Sequence, residues 1–169
     1  IPNRAIPKIF QLSNKGKVNK KLFTGNTINT PSMLCVEDAL DTLNWVKKIG
    51  GLDKTIELSR KNLMIVEKKI KNSLWLDFLP EKESIRSSTS ICLKIKANIL
   101  ENYEIGSLKE KMSNIFSFLE ENNIAYDINS YRDAPIGIRI WGGATVNEKD
   151  INILFDWLEW CFIKFIKNE

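Results

Sequence analysis

The sequence contains no histidine, and that absence removes several chemistries at once. Histidine-based catalytic triads are excluded, and a zinc site has no imidazole to draw on. No CxxC pair compensates, because the three cysteines, Cys35, Cys92 and Cys161, are odd in number and far apart. They do not suit a disulfide framework and point to a reducing compartment, expected to be the cytoplasm. Long apolar runs are also missing. The most apolar stretch, INILFDWLEWCFIKFI over residues 151–166, is interrupted by Asp156, Glu159 and Lys164 and makes a poor membrane span. No signal peptide is visible, and neither membrane nor metal is expected. Residues 1–36 lack acidic side chains altogether while carrying six basic ones, Arg4, Lys8, Lys15, Lys17, Lys20 and Lys21. Such a leader reads as a solvated segment or as a contact for an acidic partner. With no recognition motif beside it, nucleic-acid binding is not expected. The chain begins at Ile1 rather than Met and is expected to be a fragment, a processed product or an incomplete sequence.

What remains is enough for one ordinary domain: 169 residues, 43% hydrophobic and 27% charged, with a net charge of +4. Pro2, Pro7 and Pro31 keep residues 1–34 extended or looped, with a short strand expected over residues 8–12. The spacing of Val36, Leu40, Leu43 and Val46 or Trp45 predicts a helix from Val36 to Ile49, stopped by Gly50-Gly51. A second helix is predicted over residues 52–71, with Leu52, Ile56, Leu63, Val66 and Ile70 on its apolar face. Period-two patterns then predict strands at residues 74–79, 90–95, 125–128 and 137–141. Between them, the capping-box pattern Ser107-Leu108-Lys109-Glu110 opens a helix that ends near Asn122-Asn123. A second such pattern, Thr145-Val146-Asn147-Glu148, opens a last helix to about Lys167, whose Ile151, Leu154, Leu158, Phe162 and Phe165 read as core. The order after the first two helices is β-β-α-β-β-α. The fold class is α+β, an antiparallel-rich sheet covered by helices.

The stretch SYRDAPIGIRIWGG, residues 130–143, places an arginine between two isoleucines. In a strand, Ile138 and Ile140 point one way and Arg139 and Trp141 the other. Arg139 then needs water or an anion, since an unpaired buried guanidinium is costly. Arg132 lies seven residues earlier, and Pro135 and Gly137 break the strand between them, so the two are expected to converge on one cavity. Two guanidinium forks suit a ligand with two anionic groups. The alternative is that Arg132 pairs with Asp133 or another surface acid. The loop GNTINTPS, residues 25–32, offers backbone NH groups and hydroxyls before a helix. It reads either as a phosphate site or as a plain N-cap.

Taken together, TGNTINTPSMLCVEDALDTLNWVKKIGGL (24–52), SIRSSTSICLKI (84–95) and YDINSYRDAPIGIRIWGGATV (126–146) resemble phosphoserine aminotransferase, from about Pro7 to Trp160. The resemblance implies the fold of fold-type I pyridoxal 5'-phosphate transferases. In that frame residues 1–34 are an extended segment of the large cofactor domain, 35–72 two connecting helices, and 73–169 the small C-terminal α+β domain. It implies a homodimer acting on phosphoserine, 3-phosphohydroxypyruvate, glutamate and 2-oxoglutarate in serine biosynthesis. Asn29 and Thr30 match the pair that reaches the cofactor phosphate of the other subunit. Arg139 matches the grip on the substrate α-carboxylate. Arg132 and Tyr131 match the region holding the substrate phosphate, although Tyr131 stands where many relatives have histidine and the arginine spacing is one residue longer than in some. The lysine that carries the cofactor lies before the region matching Ile1, so no residue here is expected to be catalytic, and the fragment alone is expected to be inactive. Two other functions fit parts of the pattern. A glyoxylate-type aminotransferase needs only a carboxylate grip, and a non-catalytic, split-off interaction domain needs no lysine.

Overall fold

A computed structural model describes Pro7 and residues 10–167. They fall into two compact units that divide between Lys48 and Ile49. The first holds a minimal antiparallel hairpin, β1 (Ser13–Asn14) and β2 (Lys17–Val18). Lys15 and Gly16, both at positive φ, make its turn. Of the strand expected over residues 8–12, Lys8 and Ile9 lie outside the described residues. The Phe10 N–H closes a turn onto the carbonyl of Pro7 at 3.0 Å, so extended pairing starts only at Ser13. A 3-10 turn, Lys20–Thr24, ends at Gly25 in the left-handed region. Helix α1 (Met33–Ile49) starts three residues earlier than predicted, because the Ser32 carbonyl already accepts from the Val36 N–H at 3.1 Å. No residue of α1 is buried, and its stripe Val36, Leu40, Leu43 and Trp45 is exposed.

The second unit opens with α2 (Gly51–Asn72). Gly50 and Gly51 sit at φ +117° and +78°, backbone that glycine adopts without penalty, and this separates α1 from α2. Then follow β3 (Leu76–Phe78), β4 (Ser90–Ile95), α3 (Ala97–Leu100), α4 (Ile105–Glu121), β5 (Gly137–Trp141) and α5 (Glu148–Phe162), which passes into a π-helical turn, Ile163–Lys167. The sheet is three-stranded in the order β3-β4-β5, antiparallel throughout, so the α+β class is as expected. The strand predicted at 125–128 does not form, and one isolated bridge, Asn129 with Ile138, follows it. Asn123 and Asp127 take left-handed φ values of +56° and +51°, which breaks any extended run there.

Neither capping box forms as read. Ser107 lies inside α4, and Asn147 rather than Thr145 precedes α5. The Thr145 hydroxyl is taken instead by the Trp141 indole N–H, at 3.1 Å. No periodicity signals the short helix α3. None of the helices among the described residues is long and apolar enough to cross a membrane.

The core follows from register. Leu76 opposes Ile95, Phe78 opposes Leu93, and Leu93 and Ile91 oppose Ile138 and Ile140. All seven are buried on one face of the sheet. Against them pack Val66 and Ile70 of α2, Leu108, Met112, Ile115 and Leu119 of α4, and Ile151, Phe155 and Leu158 of α5, in one continuous cluster. Trp75 stacks on Phe162 with ring centroids 5.3 Å apart. The predicted stripe of α5 is therefore core, with Phe165 half-buried. In α2 the buried positions begin at Ser59, and Leu52 near the start is 70% exposed.

Two features set the position of β5. Gly137 lies opposite Lys94, where an added Cβ would come within 2.0 Å of the Leu93 carbonyl oxygen, so no larger residue fits without moving the strands apart. Asn62 of α2 is buried, and its Nδ2 donates to the carbonyls of Gly142 at 3.0 Å, Gly143 at 3.3 Å and Val146 at 3.0 Å. This amide ties the β5–α5 turn to α2. Asn62→Ala takes a donor from three carbonyls, of which Gly143 still accepts from the Val146 N–H at 3.1 Å, and should lower the unfolding free energy by about 1–3 kcal/mol in urea titrations. Gly137→Ala should cost as much or more, and unchanged midpoints in both variants would show that β5 is positioned by other contacts.

Candidate functional site

The outer face of the sheet carries what the inner face excludes. Its cross-strand rows are Asp77, Lys94 and Gly137, then Cys92 with Arg139, then Ser90 with Trp141. Arg139 thus lies where alternation predicts, opposite the aliphatic face, with its side chain 21% exposed. Its guanidinium carbon stands 4.5 Å from the centre of the Tyr131 ring, a cation–π contact. Nη2 donates to Asp127 Oδ2 at 3.0 Å and to the Asp127 carbonyl at 3.4 Å. Nε is buried and has no hydrogen-bond partner among the described residues. A guanidinium N–H left in that state is costly unless a ligand or water meets it.

Tyr131 and Arg132 come from the turn that the Ala134 N–H closes onto the Tyr131 carbonyl at 3.0 Å. Arg132 is exposed, forms no ion pair among the described residues, and lines a cleft of about 280 Å³ with Lys109, Asn129, Ser130 and Tyr131. The alternative pairing with Asp133 does not form. Arg139 lines a separate void of about 20 Å³ together with Cys92, Ser130 and Tyr131, room for about one water. The two arginines therefore do not share one cavity, contrary to the expectation from sequence. They line adjoining clefts with Ser130, Tyr131 and Ala134 as common walls. The turn carries Arg132 toward α4, while the Tyr131 ring stays on Arg139.

Asn29 and Thr30 belong to the first unit, in the loop before α1. The Thr27 hydroxyl donates to the Asn29 carbonyl at 2.7 Å and shapes this loop. Both side chains are exposed, and neither has a hydrogen-bond partner among the described residues. A neutral amide and a hydroxyl suit phosphate oxygens and leave the phosphate charge to be met elsewhere.

Sequence reasoning missed Asp127 and Lys109. The turn signal Asn122-Asn123 precedes Asp127, but nothing in spacing says that its carboxylate reaches a residue twelve positions on. Lys109 reads in the sequence only as part of a helix start.

Two neighbouring guanidinium groups beside a small antiparallel sheet have the chemistry to hold small anions. Comparison with known proteins narrows the class: the relatives are aminotransferases. The chain is 44% identical over 161 residues to the phosphoserine aminotransferase of Methanosarcina mazei and 45% identical over 161 residues to that of Methanosarcina barkeri. Each match takes in 95% of this chain, and the chain spans 41% of the length of each relative. No family model matches the chain. The resemblance seen in three segments thus extends through nearly all of the sequence.

The thiols differ in environment. Cys35 is exposed, Cys92 half-buried and Cys161 buried. Burial raises the Cys161 thiol to about 11, against an opposing pull from Lys164. The thiolate is the reactive form, so it is scarce until the pH nears that value. At pH 8 a disulfide reagent should label Cys35 at once and leave Cys161 untouched until denaturant is added. Fast native labelling of Cys161, read by peptide mass spectrometry, would contradict its burial.

Proposed function

We propose that this chain is the C-terminal part of a phosphoserine aminotransferase. It would act in the cytoplasm as a homodimer, moving an amino group between glutamate and 3-phosphohydroxypyruvate to yield 2-oxoglutarate and phosphoserine. The observation that carries this reading is an identity of 44% that runs through 95% of the chain. The geometry supports it. Arg139 offers a buried, unpartnered Nε and an Nη2 on the same guanidinium, the fork that accepts a carboxylate in bidentate fashion. Arg132, beside Lys109 in an open cleft, offers positive charge for the phosphate.

In this reading residues 1–34 belong to the large cofactor domain, residues 35–72 connect, and residues 73–169 form the small domain. Asn29 and Thr30 would hold the phosphate of pyridoxal 5'-phosphate in the partner subunit, since an exposed amide and hydroxyl fit that group. The cofactor, when bound, supplies the electron sink that amino-group transfer requires. The chain's own residues do the rest of what falls to them. Arg139 fixes the amino acid by its carboxylate, Tyr131 keeps the guanidinium plane oriented, and Arg132 selects a phosphorylated side chain. None of them transfers a proton, so the chain supplies grip and selectivity rather than a catalytic base.

The test is kinetic, in the complete enzyme that carries this chain. Arg139→Ala should lower kcat/KM for both glutamate and phosphoserine by roughly 30- to 5,000-fold, corresponding to about 2–5 kcal/mol. Arg132→Ala should weaken phosphoserine by about tenfold or more while changing glutamate little. Equal losses for both substrates would remove the phosphate assignment and favour a glyoxylate-type aminotransferase. Separately, the 169 residues alone, mixed with pyridoxal 5'-phosphate, should show no site-specific visible absorbance and no transaminase activity. Activity in that preparation would overturn the division of labour described above.

A further inference from the structure

We propose that Asp127 is a resident carboxylate that occupies Arg139 in the ligand-free protein and sets how tightly Arg139 holds an incoming amino acid. The inference rests on the reading of Arg139 as the carboxylate grip.

Asp127 already makes, within the chain, the kind of contact a substrate carboxylate would make. Its Oδ2 accepts a hydrogen bond from Nη2 at 3.0 Å, and its own carbonyl accepts from the same nitrogen at 3.4 Å. It reaches this place through a tight reversal after α4, in which Asn123 and Asp127 both adopt left-handed backbone. Aspartate tolerates that region far better than most residues. The two partners differ in freedom. The Asp127 side chain is 86% exposed, whereas that of Arg139 is 21% exposed. Asp127 can therefore turn into water at small cost, while Arg139 cannot leave.

The aim of Arg139 does not depend on Asp127. Its backbone is held in register with Cys92, its N–H donates to the Ile128 carbonyl at 2.8 Å, and the guanidinium carbon sits 4.5 Å from the centre of the Tyr131 ring. Taking the carboxylate away leaves the fork pointing as before, with Nη2 keeping only its 3.4 Å contact to the Asp127 carbonyl and Nε still unpartnered. One guanidinium charge is matched by one carboxylate. A second arriving at the same group meets like-charge repulsion from Asp127, which has to move aside. Asp127 thus acts as a competitor carried by the chain itself. It lowers the affinity for every substrate that enters by its carboxylate, with or without a phosphate.

The experiment compares wild type, Asp127→Asn and Arg139→Ala in the complete, cofactor-loaded enzyme. Asparagine keeps the shape and the left-handed backbone but removes the charge. Glutarate binding is measured by equilibrium titration, alongside KM and kcat for glutamate and phosphoserine. Asp127→Asn should tighten glutarate and lower KM for both substrates by about three- to fivefold, the scale expected for an exposed ion pair, with kcat little changed. A merely structural role predicts no such split. A raised KM in Asp127→Asn would show that Asp127 orients Arg139 rather than competing for it, and an unchanged KM would show that the pair has no effect on binding. Either result overturns the inference while leaving Arg139 as the grip. If Arg139→Ala binds glutarate as wild type does, the grip itself is misassigned.

Discussion

The pairing of β5 with β4 is the constraint on which the rest of the site depends. Ile138 against Leu93 and Ile140 against Ile91 commit those side chains to the core, and alternation then leaves Arg139 and Trp141 no place but the opposite face. Slipping β5 by one residue would drive a guanidinium into the cluster of Leu108, Met112 and Ile115 and turn Ile138 and Ile140 out to water. Gly137 permits the strands to approach, and Asn62 holds the turn that follows. A polar side chain on α2 and a missing side chain on β5 thus place a charge they never touch.

Around that charge the polar groups are arranged unequally. Arg139 is mostly covered, with one ion pair, one cation–π contact and one buried donor without a partner. Arg132 is exposed in a wider cleft beside a lysine. The first arrangement is tight, with room beside it for about one water. The second is open to solvent, where two like charges raise the local potential for any anion.

The division of the chain into two units has a counterpart in burial. The second unit has a continuous core, whereas α1 in the first buries none of its residues despite an apolar stripe. Burial of apolar area is the main favourable term in folding, so what Asn62 and Gly137 stabilise is the second unit.

The sequence by itself determined the α+β class, most of the helices, the strands at β4 and β5, and the side of the sheet on which Arg139 lies. Those follow from local periodicity, which needs no knowledge of distant residues. It also carried the resemblance later seen in the relatives. Tertiary structure alone decided that Ser107 lies within a helix, that Thr145 serves Trp141, and that residues 125–128 form a turn rather than a strand. It alone decided that Arg132 and Arg139 occupy different clefts and that Asp127 meets Arg139. These depend on where the backbone reverses and on which partner wins a hydrogen bond, and neither leaves a period in the sequence.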